Sequence, residues 1–124
     1  MPKDWKDILS KEEFFVCRQK GTEPPFSGTY DKFFEDGKYF CKCCGSYLFN
    51  SKDKFNSGTG WPSFTSEAKE GNLLFLEDSS HGMNRVEVQC SKCQSHLGHV
   101  FNDGPSPSFK RFCINSLSLK FEKS

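Results

Sequence analysis

Two cysteine pairs are the residues whose spacing points most directly to chemistry. Cys41 and Cys44 form one C-x-x-C pair, and Cys90 and Cys93 form another. A C-x-x-C turn presents two thiolates to one metal ion, and two such turns complete a closed tetrahedral Cys₄ site of the structural zinc type. Because the adjacent Cys43 and Cys44 would chelate one ion poorly, the first pair is assigned to positions 41 and 44. The sequence therefore predicts one structural Zn²⁺ that joins two distant turns.

A further cysteine, Cys113, lies in the alternating run "RFCINSLSLKF". A period of two places Arg111, Cys113 and Asn115 on one face of a strand, which becomes apolar toward its C-terminal end. An arginine near a thiol favours the nucleophilic thiolate. Asn115 could orient a polar group of a substrate. A free cysteine is also often a small buried hydrophobe, and the strand pattern alone leaves that alternative open.

Two neighbouring histidines and one tryptophan favour a pocket around this thiol. His96 and His99 occur in "HLGHVF", where Gly98 permits close approach of the backbone. A histidine pair by itself is more often structural or metal-binding, but beside a strand thiol it can supply acid–base catalysis. Trp61 lies in the loop "SGTGWPSF", where a large aromatic side chain is suited to covering a bound group.

The elements that must position these residues are predominantly short strands. The chain has 124 residues, enough for one domain with a modest core. Ser10 and Glu13 have the spacing of a capping box, and Gly21 lies where the helix "SKEEFFVCRQK" would end. Beyond the loop "GTEPPFSG", short apolar or alternating runs are separated by Gly, Asn, Asp and Pro. This pattern predicts a mainly β, antiparallel domain preceded by a helical arm and loop at residues 1–28.

Composition excludes several classes of partner and location. The chain carries 17 basic and 16 acidic residues, a balance that does not indicate binding to nucleic acid or to an anionic membrane. No apolar run approaches the roughly 20 residues of a membrane span, and the N-terminus lacks a signal-peptide core. We expect a cytoplasmic monomer, or a protein imported into an organelle through an unrecognised signal. In a reducing compartment, cysteines act as metal ligands or reactive thiols more often than as disulfides.

The motifs together resemble the methionine-R-sulfoxide reductase family, B type. "GTEPPFSG", "SGTGWPSF", "SHGMNR", "HLGHVFNDGP", "RFCIN" and the paired C-x-x-C turns occur in the family's order over residues 12–121. The resemblance implies a β-tent fold of two antiparallel sheets with short N-terminal helices and a zinc ion away from the active site. It implies thiol-dependent reduction of methionine-R-sulfoxide, free or in proteins, to methionine through a cysteine sulfenic acid. Thioredoxin or another dithiol would be the reductant, and the role would be repair of oxidised proteins.

The resemblance also assigns individual roles. Cys113 matches the nucleophile, and His99 and His96 match the histidines that hold and help to protonate the sulfoxide oxygen. Trp61 matches the indole that packs against the substrate methyl group. The remaining matched positions, which line or support the pocket, are Asn115, Arg111, Asp103, His81 and Phe101.

One position departs from the family pattern. Many relatives have a cysteine just before "GWPSF" that converts the sulfenic acid into a disulfide, and here that position is Thr59. Cys17, on the N-terminal helix, is the first substitute, although it could equally be a core-facing residue beside Phe14. Cys43 is the second, and direct reduction by an external thiol is the third.

Two other functions are compatible with parts of the pattern. A zinc-ribbon-like binding module without catalysis would need only the C-x-x-C pairs, but the basic stripe that would favour it is not visible. A hydrolase would use Cys113 and His99 as a Cys–His dyad and would need no dithiol. A strict requirement for a dithiol distinguishes the reductase from both.

Overall fold

The N-terminal arm contains two short helices. The computed structural model describes residues 5–79, 82, 84–106 and 108–123. Helix α1 spans Trp5–Ile8 and helix α2 spans Lys11–Gln19. The capping box is confirmed, because the Ser10 hydroxyl accepts a hydrogen bond from the Glu13 amide at 3.1 Å and the Glu13 carboxylate accepts one from the Ser10 amide at 2.8 Å. Among the described residues, no helix has the length and apolar content needed to cross a membrane.

The rest of the domain consists of two antiparallel sheets, which confirms the predicted fold class. The smaller sheet has the order β2-β1-β9, and the larger has the order β3-β4-β8-β7-β6-β5. The strands in chain order are β1 Gly37–Cys41, β2 Tyr47–Asn50, β3 Lys54–Phe55, β4 Ser63–Phe64, β5 Leu73–Asp78, β6 Arg85–Cys90, β7 His96–Phe101, β8 Arg111–Ile114 and β9 Leu119–Lys123.

The core lies between the sheets and is rich in aromatic rings. Tyr39 and Phe49 of the smaller sheet are fully buried against Phe64 and Ile114 of the larger one. The Phe49 and Phe64 rings stack with their centroids 4.4 Å apart. Each such side chain contributes roughly 1.5–3 kcal/mol when it is removed from water. One face of the larger sheet therefore packs into the core, and the opposite face is available to polar residues.

The run "RFCINSLSLKF" does not form one strand, contrary to the sequence-based expectation. Strand β8 ends at Ile114, a 3₁₀ turn occupies Ser116–Ser118, and β9 belongs to the other sheet. Alternation therefore holds only within β8, where Phe112 and Ile114 are buried in the core. Arg111 and Cys113 project from the opposite face.

A β-bulge in β7 places the two histidines together. The register of β6 against β7 changes from Val88 opposite Gly98 to Gln89 opposite His96, so Leu97 is an extra residue in β7. Residues three apart in a regular strand point to opposite faces. Because of the bulge, His96 and His99 share one face, and their ring centroids lie 5.7 Å apart.

Candidate functional site

Strand pairing surrounds Cys113 with most of the predicted site residues. Cys113 is opposite Ser63 on β4 and opposite His99 on β7. A cavity of about 270 Å³ opens over its thiol. The cavity is lined by Thr22, Thr59, Trp61, Arg85, Gly98, His99, Phe101, Arg111, Cys113 and Asn115. A Cβ at Gly98 would collide with the Cys113 carbonyl oxygen, so a residue without a side chain is required there.

The environment of Cys113 favours the thiol over the thiolate. Burial raises the pKa of Cys113, and this effect outweighs the nearby Thr59 hydroxyl and Arg111 guanidinium, which lower it. The Thr59 Oγ1 atom lies 3.9 Å from the Cys113 Sγ atom. The sequence correctly indicated the direction of the arginine's effect but not the net result. A reaction in which this sulfur attacked a substrate would therefore also require removal of its proton.

A salt bridge holds Arg111 at the cavity wall. Its guanidinium donates two hydrogen bonds to the Asp103 carboxylate, at 2.8 and 3.1 Å, and lies 4.4 Å from the centre of the Phe101 ring. The Arg111 guanidinium lowers the pKa of Asp103, so that carboxyl group stays ionised. Asp103 is exposed outside the cavity lining, where it orients the arginine.

The loop after α2 covers the cavity and is anchored by Glu23. The Trp61 indole N–H donates to the Glu23 carbonyl oxygen at 2.9 Å, and the Glu23 amide donates to the Asn115 side-chain oxygen at 3.0 Å. The Glu23 carboxyl group is buried and accepts a hydrogen bond from the Leu117 amide at 2.9 Å. Sequence analysis missed this role of Glu23. The feature that could have indicated it is that Glu23 is the single acidic residue of the loop "GTEPPFSG".

Asn115 is anchored to the protein backbone on both sides of its amide. Besides accepting from Glu23, its side-chain nitrogen donates to the Leu97 carbonyl oxygen at 3.0 Å. The side chain is buried yet lines the cavity. Asn115 therefore connects the cavity floor to the covering loop and to the bulge of β7.

Each histidine is paired with a carboxylate that the sequence did not identify. The His99 Nε2 atom lies 2.8 Å from the Asp78 carboxylate, and the His96 Nδ1 atom lies 2.8 Å from the Glu87 carboxylate. Beside a carboxylate, each of these ring nitrogens carries the hydrogen and donates it. The alternation of polar and apolar residues in "NRVEVQ" could have indicated Glu87, because it places this side chain on the polar face of β6.

Only one of the two histidines faces the Cys113 cavity. His99 lines it, whereas His96 lines an adjacent polar cavity of about 310 Å³. Burial lowers the pKa of His96, and the Glu87 carboxylate offsets this only in part. His96 is therefore a neutral, buried imidazole next to His99.

A larger cavity of about 670 Å³ lies between the helices and the covering loop. Leu9, Phe14, Phe15 and Leu117 contribute to its walls. Among the described residues that line it there is no cysteine or histidine. Size alone therefore does not identify the site, because the thiol and the imidazole that the sequence predicts for it, Cys113 and His99, line the smaller cavity.

The four cysteines of the two C-x-x-C pairs form one cluster. The sulfur atoms of Cys41, Cys44, Cys90 and Cys93 all lie within 4.8 Å of one another. The contacts include 3.6 Å from Cys41 to Cys93 and 3.5 Å from Cys44 to Cys90. Contact with neighbouring sulfur atoms raises the pKa of Cys41, because thiolates packed together repel each other. A divalent cation would reverse this, and the donor set fits such an ion.

Two similar turns build the cluster. The Gly45 amide donates to the Cys41 carbonyl oxygen at 2.9 Å, and the Gln94 amide donates to the Cys90 carbonyl oxygen at 2.8 Å. Gly45 and Gln94 both have positive φ angles, of 79° and 59°. Each turn thereby directs its two thiols to the same point, which is the geometry expected of a closed metal site.

The remaining sequence-predicted residues lie elsewhere. Cys17 is buried on α2, where its thiol donates to the Leu117 carbonyl oxygen at 3.7 Å and touches Cys43. The Cys43 thiol in turn donates to the Ser95 hydroxyl at 3.8 Å. Cys17 thus faces the end of the domain that carries the four-cysteine cluster and does not line the Cys113 cavity. His81 lies outside the described residues.

Comparison with known proteins gives one consistent family. A family model described as the SelR domain matches residues 9–123. A protein named peptide methionine sulfoxide reductase MsrB from Alteromonas mediterranea is 54% identical over 120 residues, which cover 97% of this chain and 84% of that protein. A protein of the same name from Methanosarcina barkeri is 55% identical over 119 residues, which cover 96% of this chain and 84% of that protein. The matched residues include the cavity, both histidines and the four-cysteine cluster.

Proposed function

Because the chain belongs to the MsrB family of peptide methionine sulfoxide reductases, we propose that Cys113 is the nucleophile with which it reduces methionine-R-sulfoxide to methionine. The observation that supports this proposal most directly is the position of Cys113. It lines the cavity and is paired with His99 on the neighbouring strand. A thiol and an acid–base group are the two functions that this reduction needs.

The chemistry balances with the groups in the cavity. The Cys113 sulfur attacks the sulfoxide sulfur, the thiol loses its proton, and the sulfoxide oxygen gains one. Methionine leaves, and Cys113 retains the oxygen as a sulfenic acid. A dithiol then reduces the sulfenic acid, which restores the thiol and produces a disulfide and water. We assign proton donation at the oxygen to His99, because it lines the cavity and its ring is held in place by the Asp78 carboxylate, 2.8 Å from its Nε2 atom.

The walls of the cavity divide into apolar and polar sides. Trp61 and Phe101 provide aromatic surface for the methyl group of the substrate, and Arg111 and His99 provide hydrogen-bond donors for its oxygen. We propose that the buried amide of Asn115 fixes the covering loop over the bound substrate. We place His96 in support of His99, and Asp103 in support of Arg111. His81 stays a proposed substrate-binding residue on the family resemblance alone.

The first expected result concerns stereochemistry. With dithiothreitol as reductant, the protein should consume the R epimer of methionine sulfoxide and leave the S epimer, because only one configuration places methyl on Trp61 and oxygen toward His99. Chromatography of the two epimers over time measures this directly. Trp61→Ala should raise KM for the R epimer, whereas Phe34→Ala, an exposed aromatic outside the cavity lining, should not. Equal consumption of both epimers would contradict the assignment.

We further propose that the four-cysteine cluster holds one Zn²⁺. Four thiolates at tetrahedral spacing are the preferred ligands of structural zinc and leave no position for substrate. When bound, the ion would supply structural cross-linking between the two turns. We also propose a monomer that acts in a reducing, cytoplasmic compartment on methionine sulfoxide in peptides or proteins, with thioredoxin or another dithiol as reductant.

Regeneration of Cys113 is assigned to Cys17, after movement of α2. Thr59 occupies the position of the usual resolving cysteine, and a disulfide requires Cα atoms within about 7 Å. Since Cys17 is buried against Leu117 and Cys43, α2 has to leave this packing to reach Cys113. Cys17→Ser should still reduce one equivalent of sulfoxide, lose thioredoxin-supported turnover, and keep much of its turnover with dithiothreitol.

Mass spectrometry after one turnover distinguishes the three routes. A Cys17–Cys113 disulfide in the parent protein supports the assignment, and Cys43→Ser serves as the matched control. A disulfide to Cys43 would make that residue the resolver. A persistent sulfenic acid on Cys113 with Cys17 free would instead show direct reduction by an external thiol.

A further inference from the structure

A second polar cavity adjoins the Cys113 cavity, and we name it the histidine chamber. It has a volume of about 310 Å³ and is lined by Lys20, Thr22, Asp78, Arg85, Glu87, His96 and His99. Three of these residues, Thr22, Arg85 and His99, also line the Cys113 cavity. His99 therefore has one side toward the nucleophile and the other toward a separate polar space. The reaction described above uses His99 and its Asp78 partner but gives no role to Glu87 or to the space itself.

Glu87 is a buried acidic residue in the lining of this chamber. Its side chain is only 5% exposed, and its carboxylate accepts hydrogen bonds from His96 at 2.8 Å and from Gln89 at 2.9 Å. Lys20 lies 3.5 Å from its other oxygen. These contacts lower the pKa of Glu87 even though burial raises it, so the group is a carboxylate at neutral pH. A buried carboxylate with three donors around it has little freedom to rotate.

This arrangement determines which nitrogen of His96 carries its hydrogen. The carboxylate can only accept, so the Nδ1 atom of His96 must donate. The neutral ring then has a bare lone pair on Nε2. The His96 side chain is only 4% exposed, and its buried Nε2 atom has no hydrogen-bond partner among the described residues. A buried acceptor without a partner is costly unless it receives a proton or a water hydrogen.

We propose that Glu87 is a positioning residue for the reduction, which holds His96 as the Nδ1–H tautomer so that its bare Nε2 is a proton acceptor in the histidine chamber. The inference rests on the proposed function of Cys113 and assigns a different proton-transfer role to each histidine. His99, paired with Asp78, donates a proton to the sulfoxide oxygen. His96, paired with Glu87, takes up the proton that the Cys113 thiol releases.

Protons balance in the step that forms the sulfenic acid. One proton leaves the Cys113 sulfur, and one arrives on the oxygen that becomes part of the sulfenic acid. Cys113 lines only the neighbouring cavity, so the released proton would reach His96 through water at the wall that the two cavities share. A polar space of about 310 Å³ is large enough for such water. Transfer from His96 to the neighbouring His99, whose ring centroid is 5.7 Å away, then restores both rings. No proton is gained from or lost to solvent.

The tautomer of His96 provides a test that does not depend on activity. Nitrogen-15 NMR of the full-length, zinc-loaded protein with labelled histidine separates Nδ1–H, Nε2–H and doubly protonated rings by their shifts. At neutral pH, His96 should be the Nδ1–H form in the parent protein. In Glu87→Gln, three donors would compete for one amide oxygen, so the Nδ1–H population should fall. A parent His96 that carries hydrogen on Nε2 would overturn the proposal.

The kinetic test uses a single turnover with methionine-R-sulfoxide, before any reductant acts. Glu87→Gln should slow the burst of methionine by about tenfold or more. The expected minimum lies below the ~10²–10⁴-fold contribution of a group that transfers the proton itself, because Glu87 acts through His96. Glu77→Gln loses the same charge from an exposed position on β5 outside the chamber lining and should leave the burst unchanged. An altered tautomer with an unaltered burst would overturn the inference, whereas a parent protein without any burst would overturn the proposed function itself.

Discussion

Cys113→Ser is expected to lower the single-turnover reduction of methionine-R-sulfoxide by about 10⁴-fold or more, because removing a covalent nucleophile eliminates the reaction path. A serine hydroxyl is isosteric but far less nucleophilic than a thiol and cannot become a sulfenic acid. The backbone pairings of residue 113 with β4 and β7 do not involve the side chain. Fold and metal content should therefore be unchanged, as measured by circular dichroism and metal analysis.

The matched control for this substitution is Cys17→Ser, another cysteine-to-serine change of a buried thiol. It should release one equivalent of methionine in the same single-turnover assay. After turnover, mass spectrometry should find one added oxygen at Cys113 in Cys17→Ser, which lacks the assigned resolving thiol, and none at residue 113 in Cys113→Ser. If Cys113→Ser kept more than a trace of activity, the cavity thiol could not be the nucleophile.

Cys90→Ser is expected to lower metal content and thermal stability together. Cys90 is fully buried, and its sulfur lies 3.5 Å from that of Cys44 within the four-cysteine cluster. Structural zinc contributes about 10–16 kcal/mol in small peptides, so even partial loss should reduce Tm by more than about 15 °C in a domain of this size. Zinc analysis and calorimetry on the same sample measure both quantities.

Cys43→Ser is the control that separates ligands from neighbouring cysteines. Cys43 lies inside the same turn but is not one of the four residues whose sulfur atoms converge. Its substitution should leave zinc content near one ion per chain. A metal-free protein that stayed fully folded would refute the structural role of the ion. Inhibition by a chelator without unfolding would instead indicate a catalytic metal.

The sequence by itself determined the features that depend on short spacing. The two C-x-x-C pairs predicted the four-cysteine cluster, because each turn brings its own thiols together before any long-range contact forms. The capping box at Ser10 and the mainly β class were likewise predicted from local patterns. The motif around Cys113 indicated the family and its chemistry, and the similar proteins agree with it.

Only the tertiary structure decided how the site works, because the deciding contacts join residues far apart in the chain. The bulge at Leu97 depends on the pairing of β6 with β7, and it alone brings His96 to the same face as His99. The thiol state of Cys113 follows from burial, which a neighbouring arginine in the sequence does not reveal. The carboxylate partners of the histidines likewise lie on other strands. Alternation of apolar and polar residues predicts which face of a sheet a side chain occupies. Its neighbours on adjacent strands depend on the register in which those strands pair.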